Sequence, residues 1–245
     1  MGTSGFTTVA HTEGMPVRYI ALCESLSGYT YIYPLGHPKY HLNPVCYSHH
    51  RVDVNGTILS VISSVMPCGR DYTGRENKIA HHVVLESRDM VPCGPAWAMM
   101  HGSFFMENWN QPPSLLAPGR IKLPGTDVMK ESHYAGTWND EFGDAGTAGV
   151  LARWALEQPG IPSFKLYDPE KTSSILALAV ESMVLLPPEK RWTTTFSTCF
   201  FSKPMDSDCL WRFCPVISRP GARPWHGEWV ISPWKILRLY SRQEV

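Results

Sequence analysis

Three stretches in the first part of the chain are rich in β-branched and other hydrophobic side chains, which is typical of strands. They are the ranges 45–54, 58–65 and 78–86. Asn55-Gly56 lies between the first two, and this pair is typical of a two-residue hairpin turn. Between the second and third strands, the range 68–77 predicts a longer polar turn.

Four other stretches are predicted to be helices, because hydrophobic residues recur in them at helical spacing or because helix signals flank them. They are the ranges 13–28, 93–100, 144–157 and 169–186. Pro16 suits the start of the first helix, and Asp144 is the expected N-cap of the third. Pro187-Pro188 ends the fourth, since proline cannot continue a helix.

Three further strands are predicted, at 6–10, 191–201 and 209–216, and we expect the last two to pair with each other. Residues 101–141 are rich in Pro, Gly, Asn and Trp and show little periodicity, which predicts a long irregular connection.

The elements together predict an α+β fold with mixed or antiparallel sheets, a few covering helices and long irregular loops. We see no linker, so we expect a single globular region over residues 1–245. A subdivision into an N-terminal half, 1–140, and a C-terminal half, 141–245, is the alternative.

The composition excludes several classes of protein. Hydrophobic residues make up 43% of the 245 residues and charged residues only 18%, which predicts a packed core rather than a disordered chain. The 22 basic and 22 acidic side chains give a formal net charge of zero. A neutral chain has no long-range field that attracts nucleic acid or an anionic membrane, so neither is an expected partner.

Cysteine spacing and hydropathy predict a cytoplasmic protein. The seven cysteines include no C-x-x-C pair, which argues against a zinc site and against a disulfide framework. No apolar run is long enough to span a bilayer, and the first residues lack the pattern of a signal peptide. The sequence also lacks a P-loop and a dinucleotide-binding glycine motif, so we expect no cofactor and no metal.

The densest group of polar residues is the stretch 69–82, GRDYTGRENKIAHH. Two glycines and two arginines in one turn can present N–H donors to a carboxylate or a phosphate. The turn can equally be structural, with Asp71 pairing with an arginine and Asn77 bonding to its own backbone. The residues predicted to bind a partner or ligand are Arg70, Asp71, Arg75, Asn77 and His81.

Histidines and cysteines leave an enzymatic alternative open. The pairs His49-His50 and His81-His82 lie on predicted strands, where neighbouring side chains point to opposite faces. If those strands are neighbours, one histidine of each pair can approach the other across the sheet. Cys68 precedes Gly69-Arg70, a neighbourhood that lowers a thiol pKa, so Cys68 and His81 are the candidate catalytic residues. A structural role for the histidines is the favoured interpretation.

The stretch GRDYTGRENKIAHH, taken with several shorter segments, resembles the N-terminal domain of bacterial GTPase-associated adaptor proteins. The other segments that carry the resemblance are the ranges 6–10, 14–16, 24–29, 43–49, 185–188, 191–198 and 209–212. The resemblance implies an accessory component encoded beside a GTPase in a bacterial conflict, or anti-phage defence, system. Such domains commonly form the N-terminal part of a longer polypeptide. The resemblance therefore also implies that the protein is part of a larger assembly.

The hypothesis from the sequence is therefore an adaptor domain that binds a protein partner such as a GTPase, without membrane association of this segment. The alternative is an enzyme, for example a Cys/His hydrolase, or a sensor of a small ligand or nucleotide. That alternative would use Arg70, Arg75 and His81 in a pocket.

Overall fold

A computed structural model of the chain describes residues 8–70, 74–119, 121–124, 135–157, 160–172, 174–201 and 208–216. Asp71 and the tryptophan-rich stretch 219–240 lie outside these residues. The described part contains helices and two sheets of mixed strand direction, which confirms the predicted α+β fold.

The strands are β1 (Ala10–Thr12), β2 (Cys46–Val54), β3 (Thr57–Arg70), β4 (Glu76–Leu85), β5 (Ser114–Leu116), β6 (Ser163–Tyr167), β7 (Phe196–Ser197) and β8 (Trp211–Pro215). The main sheet has the order β4-β3-β2-β7-β8-β6. Pairing is antiparallel from β4 to β7, whereas β8 is parallel to both β7 and β6. A parallel pair of β1 and β5 forms the second sheet.

The helices are α1 (Val17–Leu26), α2 (Pro95–His101), α3 (Gly136–Phe142), α4 (Gly146–Glu157), α5 (Ile175–Met183) and α6 (Pro188–Arg191). The predicted start of α4 is confirmed by its cap. Asp144 Oδ1 accepts the Gly146 N–H at 2.8 Å, and its Oδ2 accepts the Thr147 hydroxyl at 3.1 Å. These bonds satisfy donors that the first turn of a helix leaves free.

The turn between β2 and β3 is the predicted two-residue hairpin. Asn55 and Gly56 both have positive φ, 56° and 83°, as this tight turn requires. Asp53 Oδ1 also accepts the Gly56 N–H at 2.6 Å. The turn sets the register of the hairpin, which pairs Val54 with Thr57 and runs to Cys46 opposite Val65.

The predicted turn at 68–77 is wrong in its extent, because β3 continues to Arg70 and β4 begins at Glu76. Since β2 begins at Cys46, opposite Val65, the next residues of β3 pair only with β4 among the described residues. Residues 66–70 and 74–79 therefore form a two-stranded extension of the sheet, which we call the arm. A register shift lies between Pro67 and Arg70, where proline has no N–H for the ladder.

The C-terminal half differs more from the prediction. The helix predicted at 169–186 covers only Ile175–Met183, because Asp168 O accepts the N–H groups of Lys171 and Thr172 in a separate turn. The strand predicted at 191–201 is reduced to two residues, Phe196–Ser197. They do pair with Trp211-Arg212, as expected.

Four elements arise where none was predicted, and one of them is α6, directly after the helix that Pro187-Pro188 ends. The connection 101–141 contains β5 and the start of α3. β6 was not predicted, although its sequence, Ser-Phe-Lys-Leu-Tyr, alternates between polar and apolar residues, and all five of its residues are buried. The strand predicted at 6–10 is displaced to Ala10–Thr12, and residues 6 and 7 lie outside the described part.

One face of the main sheet packs against α2 to α5 and forms the largest core. It contains large residues from both parts of the chain, which are Ile62, Val83, Met99, Trp138, Leu178, Met183, Phe196, Trp211 and Phe213. Two smaller clusters lie elsewhere, one around Phe164 and Phe200 and one around Tyr29, Cys46 and Cys199. The main core thus joins residues that are more than 100 positions apart in the sequence.

Arg191 ties the loop before α2 to the end of α5. Its guanidinium is buried and donates to the carbonyl oxygens of Leu186, Pro92 and Val184 at 2.9 to 3.0 Å. The neighbouring Trp192 Nε1–H donates to Val91 O at 2.6 Å. Two adjacent side chains therefore hold residues 91 and 92 against the end of a helix that is distant in sequence.

Gly94 lies against this contact and leaves no room for a side chain. Its φ is +85°, and an added Cβ would lie 2.7 Å from Arg191 Cβ and 3.2 Å from Met183 Sδ. We expect Gly94→Ala to lower the free energy of unfolding by about 3 kcal/mol, from backbone strain together with overpacking. Urea denaturation measures this loss.

Gly36 provides a matched control. It also has a positive φ, +89°, but nothing lies within 4 Å of an added Cβ. Gly36→Ala is therefore expected to cost only the backbone strain, about 1 kcal/mol. Equal losses in the two variants would show that the Arg191 contact is not tightly packed.

Candidate functional site

The tip of the arm presents three of the five predicted binding residues to solvent, whereas Asp71 lies outside the described residues. Arg70, Arg75 and Asn77 are exposed. Gly69 and Gly74 have positive φ, 69° and 83°, which allows the chain to turn sharply here. Arg70 Nη1 donates to Gly74 O at 3.1 Å across the turn. The structure thus brings both predicted arginines to one protruding turn.

A tyrosine-rich loop, residues 28–44, supports the arm. Tyr31 OH donates to Asn77 O at 2.8 Å, and the Glu76 carboxylate accepts the Leu35 N–H. Tyr31 also stacks on Tyr40, with ring centroids 6.1 Å apart. These contacts show that the loop fixes the position of the arm.

The same loop is bonded to the second half of the chain. Tyr33 OH donates to Glu170 Oε1 at 2.7 Å, and Lys39 Nζ lies 2.6 Å from Glu170 Oε2. The two bonds hold the Glu170 carboxylate ionised, and its pKa is lowered by Lys39 first and by Tyr33 second. The arm is therefore stabilised by β3–β4 pairing and, through the tyrosine-rich loop, by the bonds to Glu170.

The two candidate catalytic residues lie at the base of the arm and contact one segment. His81 Nδ1 accepts the Met106 N–H at 3.0 Å, and its ring packs edge-on against Phe105 at 5.6 Å. Cys68 Sγ lies 3.9 Å from Glu107 O. Both side chains thus contact consecutive residues of a connection that the sequence left as irregular.

The two histidine pairs do not meet across neighbouring strands, because β3 lies between β2 and β4. His49 is fully buried in the main core, where Nδ1 donates to Thr194 O at 2.9 Å and Nε2 accepts the Ser60 hydroxyl at 3.2 Å. Burial lowers the pKa of His49 to about 3. This histidine is a satisfied core residue, in agreement with the favoured interpretation.

His82 forms a hydrogen-bonded chain that the sequence did not predict. The Ser27 hydroxyl donates to Cys23 O at 2.8 Å, so Ser27 Oγ accepts from His82 Nε2 at 2.8 Å. His82 Nδ1 then accepts the Ser63 hydroxyl at 2.7 Å. Ser63, His82 and Ser27 resemble the nucleophile, base and orienting group of a nucleophilic site. Ser63 is fully buried, however, so a substrate could not reach its hydroxyl. These hydrogen bonds join the end of α1 to the main sheet.

A second pair that the sequence did not predict is His50 and Cys209. Their Nδ1 and Sγ atoms are 3.8 Å apart, and both residues are buried. Burial lowers the pKa of His50 to about 4, against the opposing effect of Asp208. The contact joins β2 to the start of β8, and only the sheet order that the structure reveals could have indicated it.

Among the described residues, no group of three or more His, Cys, Asp and Glu side chains is arranged to hold a metal ion. None of the described helices is long and apolar enough to cross a membrane. All seven cysteines are free thiols.

Residues 1–120 match the family described as GTPase-associated protein 1, N-terminal domain type 2. The matched stretch contains α1, α2, β1 to β5 and the arm, and it confirms the resemblance for the segments up to residue 120. The segments 185–188, 191–198 and 209–212 lie outside the match. No curated protein and no solved structure matches the chain.

Proposed function

Since residues 1–120 correspond to an N-terminal domain of a GTPase-associated protein, we propose that the chain is an adaptor that binds a protein partner, a GTPase, through the tip of its arm. In this proposal the adaptor belongs to a bacterial conflict system and acts within a larger assembly. The proposed contact residues are Arg70, Arg75 and Asn77 at the tip, Asp71 between them, and His81 at the base.

The observation that carries the proposal is the presence of two exposed arginines at the end of a supported two-stranded arm. The arm extends past Cys46, the first residue of β2. Pairing between β3 and β4 and the bonds from the tyrosine-rich loop hold the arm in place. Arginine is enriched among the residues that dominate protein interfaces, since its planar guanidinium pairs with carboxylates in a fixed geometry. A preordered support lowers the entropy lost on binding.

The charge and the cysteines support a protein partner in the cytoplasm. A chain of zero net charge gains little from the phosphates of nucleic acid or the headgroups of a membrane. Seven free thiols suit a reducing compartment. A local group of charged residues on a neutral protein favours specific short-range recognition.

We expect the double variant Arg70→Ala/Arg75→Ala to weaken binding to the GTPase encoded beside the protein by at least about tenfold. The affinity is measured by calorimetry with the purified full chain, with the GTPase loaded first with GDP and then with a non-hydrolysable GTP analogue. A preference for one nucleotide state would show that the adaptor reads the state of the GTPase.

Arg18→Ala/Arg88→Ala is the matched control, because both arginines are exposed and neither belongs to the arm. It removes the same charge and is expected to leave the affinity unchanged. The thermal midpoints of both double variants should stay close to that of the natural sequence, since surface substitutions rarely change stability by more than about 0.5 kcal/mol. Equal affinities for all three proteins would refute a role of the arm in binding.

A further inference from the structure

An irregular segment, residues 102–110, crosses the face of β2 to β4 at the base of the arm, and we call it the strap. The Phe105 ring lies 6.0 Å from the Tyr47 ring and 5.6 Å from the His81 ring. The Met106 N–H donates to His81 Nδ1 at 3.0 Å, and Glu107 O lies 3.9 Å from Cys68 Sγ. The strap is thus bonded to the sheet through side chains of β3 and β4.

The bond from Met106 depends on the charge state of His81. Its Nδ1 is the acceptor, so the ring must be neutral with its proton on Nε2. A doubly protonated imidazole has no acceptor and would turn an N–H toward the Met106 N–H. Histidine is the side chain whose charge ordinarily changes nearest to neutral pH.

The surface under the strap contains a polar group that the strap does not satisfy. Tyr47, Ser64 and His81 are register neighbours across β2, β3 and β4, so their side chains share one face. Ser64 is 2% exposed, and its buried hydroxyl has no hydrogen-bond partner among the described residues. In the strap itself, the buried Trp109 Nε1–H also has no partner within the described part of the chain. Unsatisfied buried groups oppose the closed position, because opening would hydrate them.

We propose that the strap is a cover that neutral His81 holds closed and that protonation of His81 releases. Release exposes Tyr47, Ser64 and the strap residues Phe105 and Met106 beside the arm, which enlarges the surface available to a partner. This regulatory role rests on the proposed function of the arm.

Among the described residues, titratable groups near His81 come from β2, β3, β4 and the strap. His82 follows it on β4 and points to the opposite face, while Cys68 comes from β3 and Tyr47 from β2. The strap contributes Glu107. Burial and then Glu107 raise the pKa of Tyr47, so Tyr47 stays neutral across the pH range of the switch.

Hydrogen exchange of the full chain, followed by mass spectrometry at pH 7.5 and pH 5.5, tests the proposal. After correction for intrinsic rates, peptides that contain Met106 should exchange about tenfold faster at pH 5.5. Peptides from β2 serve as the internal reference for global unfolding. Exchange of the strap that does not change with pH, or that changes only in step with β2, would overturn the proposal.

Two variants separate protonation from loss of the ring. In His81→Asn, Oδ1 occupies the position of Nδ1 and accepts without titrating, so the strap should stay protected at both pH values. In His81→Phe the ring remains but the acceptor is lost, so the strap should exchange about tenfold faster at both. If the asparagine variant behaves like the phenylalanine variant, His81 has only a packing role. Because no partner is present, these outcomes do not bear on whether the arm binds a GTPase.

Discussion

Acidification from pH 7.5 to pH 5 is expected to lower the free energy of unfolding by about 6 kcal/mol, because three buried histidines must stay neutral in the folded protein. Burial lowers the pKa of His49 and His82 to about 3 and that of His50 to about 4, from an ordinary 6.5. Between pH 6.5 and these values, the unfolded chain binds protons that the folded chain does not. The contribution of the neutral histidines to the free energy of unfolding is therefore fully present above pH 6.5 and is lost as the pH decreases. At pH 5 the loss is about 2 kcal/mol for each histidine.

Urea denaturation at a series of pH values between 7.5 and 5 measures this loss. His49→Gln removes one of the three histidines. It should reduce the loss in free energy of unfolding between pH 7.5 and pH 5 by about 2 kcal/mol, whatever its effect on stability at neutral pH. His41→Gln is the control, since His41 is exposed and should leave the difference unchanged. A free energy of unfolding that is the same at pH 5 and pH 7.5 would show that the histidines become solvated in the folded state.

A fragment of residues 1–120, the length of the family match, is expected not to fold by itself. β2 pairs with β7 in the second half of the chain, at Ser48 with Ser197 and His49 with Phe196. The main core fills the space over Ile62 and Val83 with residues of α3 to α5. Without them, the fragment would expose one face of its sheet to water, which costs about 25 cal/mol for each Å² of apolar surface.

Circular dichroism and two-dimensional NMR of the fragment test this expectation. We expect weak ellipticity, poorly dispersed amide resonances and no cooperative thermal transition, in contrast to the full chain. Mixing with the complementary fragment, residues 121–245, should restore the dispersed spectrum. Cooperative melting of the 1–120 fragment alone would instead support the subdivision of the chain into two halves.

The sequence predicted best the elements that local signals define. Asn55-Gly56 identified its hairpin, because only a few residue pairs adopt two consecutive positive φ angles. Asp144 identified the start of α4, because a carboxylate at this position satisfies free N–H groups. Strands whose pairing is distant were harder to predict. β6 is only five residues long, and β7 is too short to show alternation.

The site was predictable to the extent that it is a continuous stretch of sequence. Arg70 and Arg75 are prominent in a charged, glycine-flanked turn, and the structure exposes both. The bonds from His81 to Met106 and from His82 to Ser63 depend on strand register and on the path of the 101–141 connection. Those properties follow from packing that no local pattern encodes.

The position of β2 between β3 and β7 has a consequence for synthesis on the ribosome. Ser48 and its partner Ser197 are separated by about 150 residues, which take roughly 7 to 30 s to translate. During that interval β2 has one unpaired edge, rich in backbone groups that attract other strands. The nascent chain is then most vulnerable to association with its neighbours, and the last strands of the sheet end that vulnerability when they emerge.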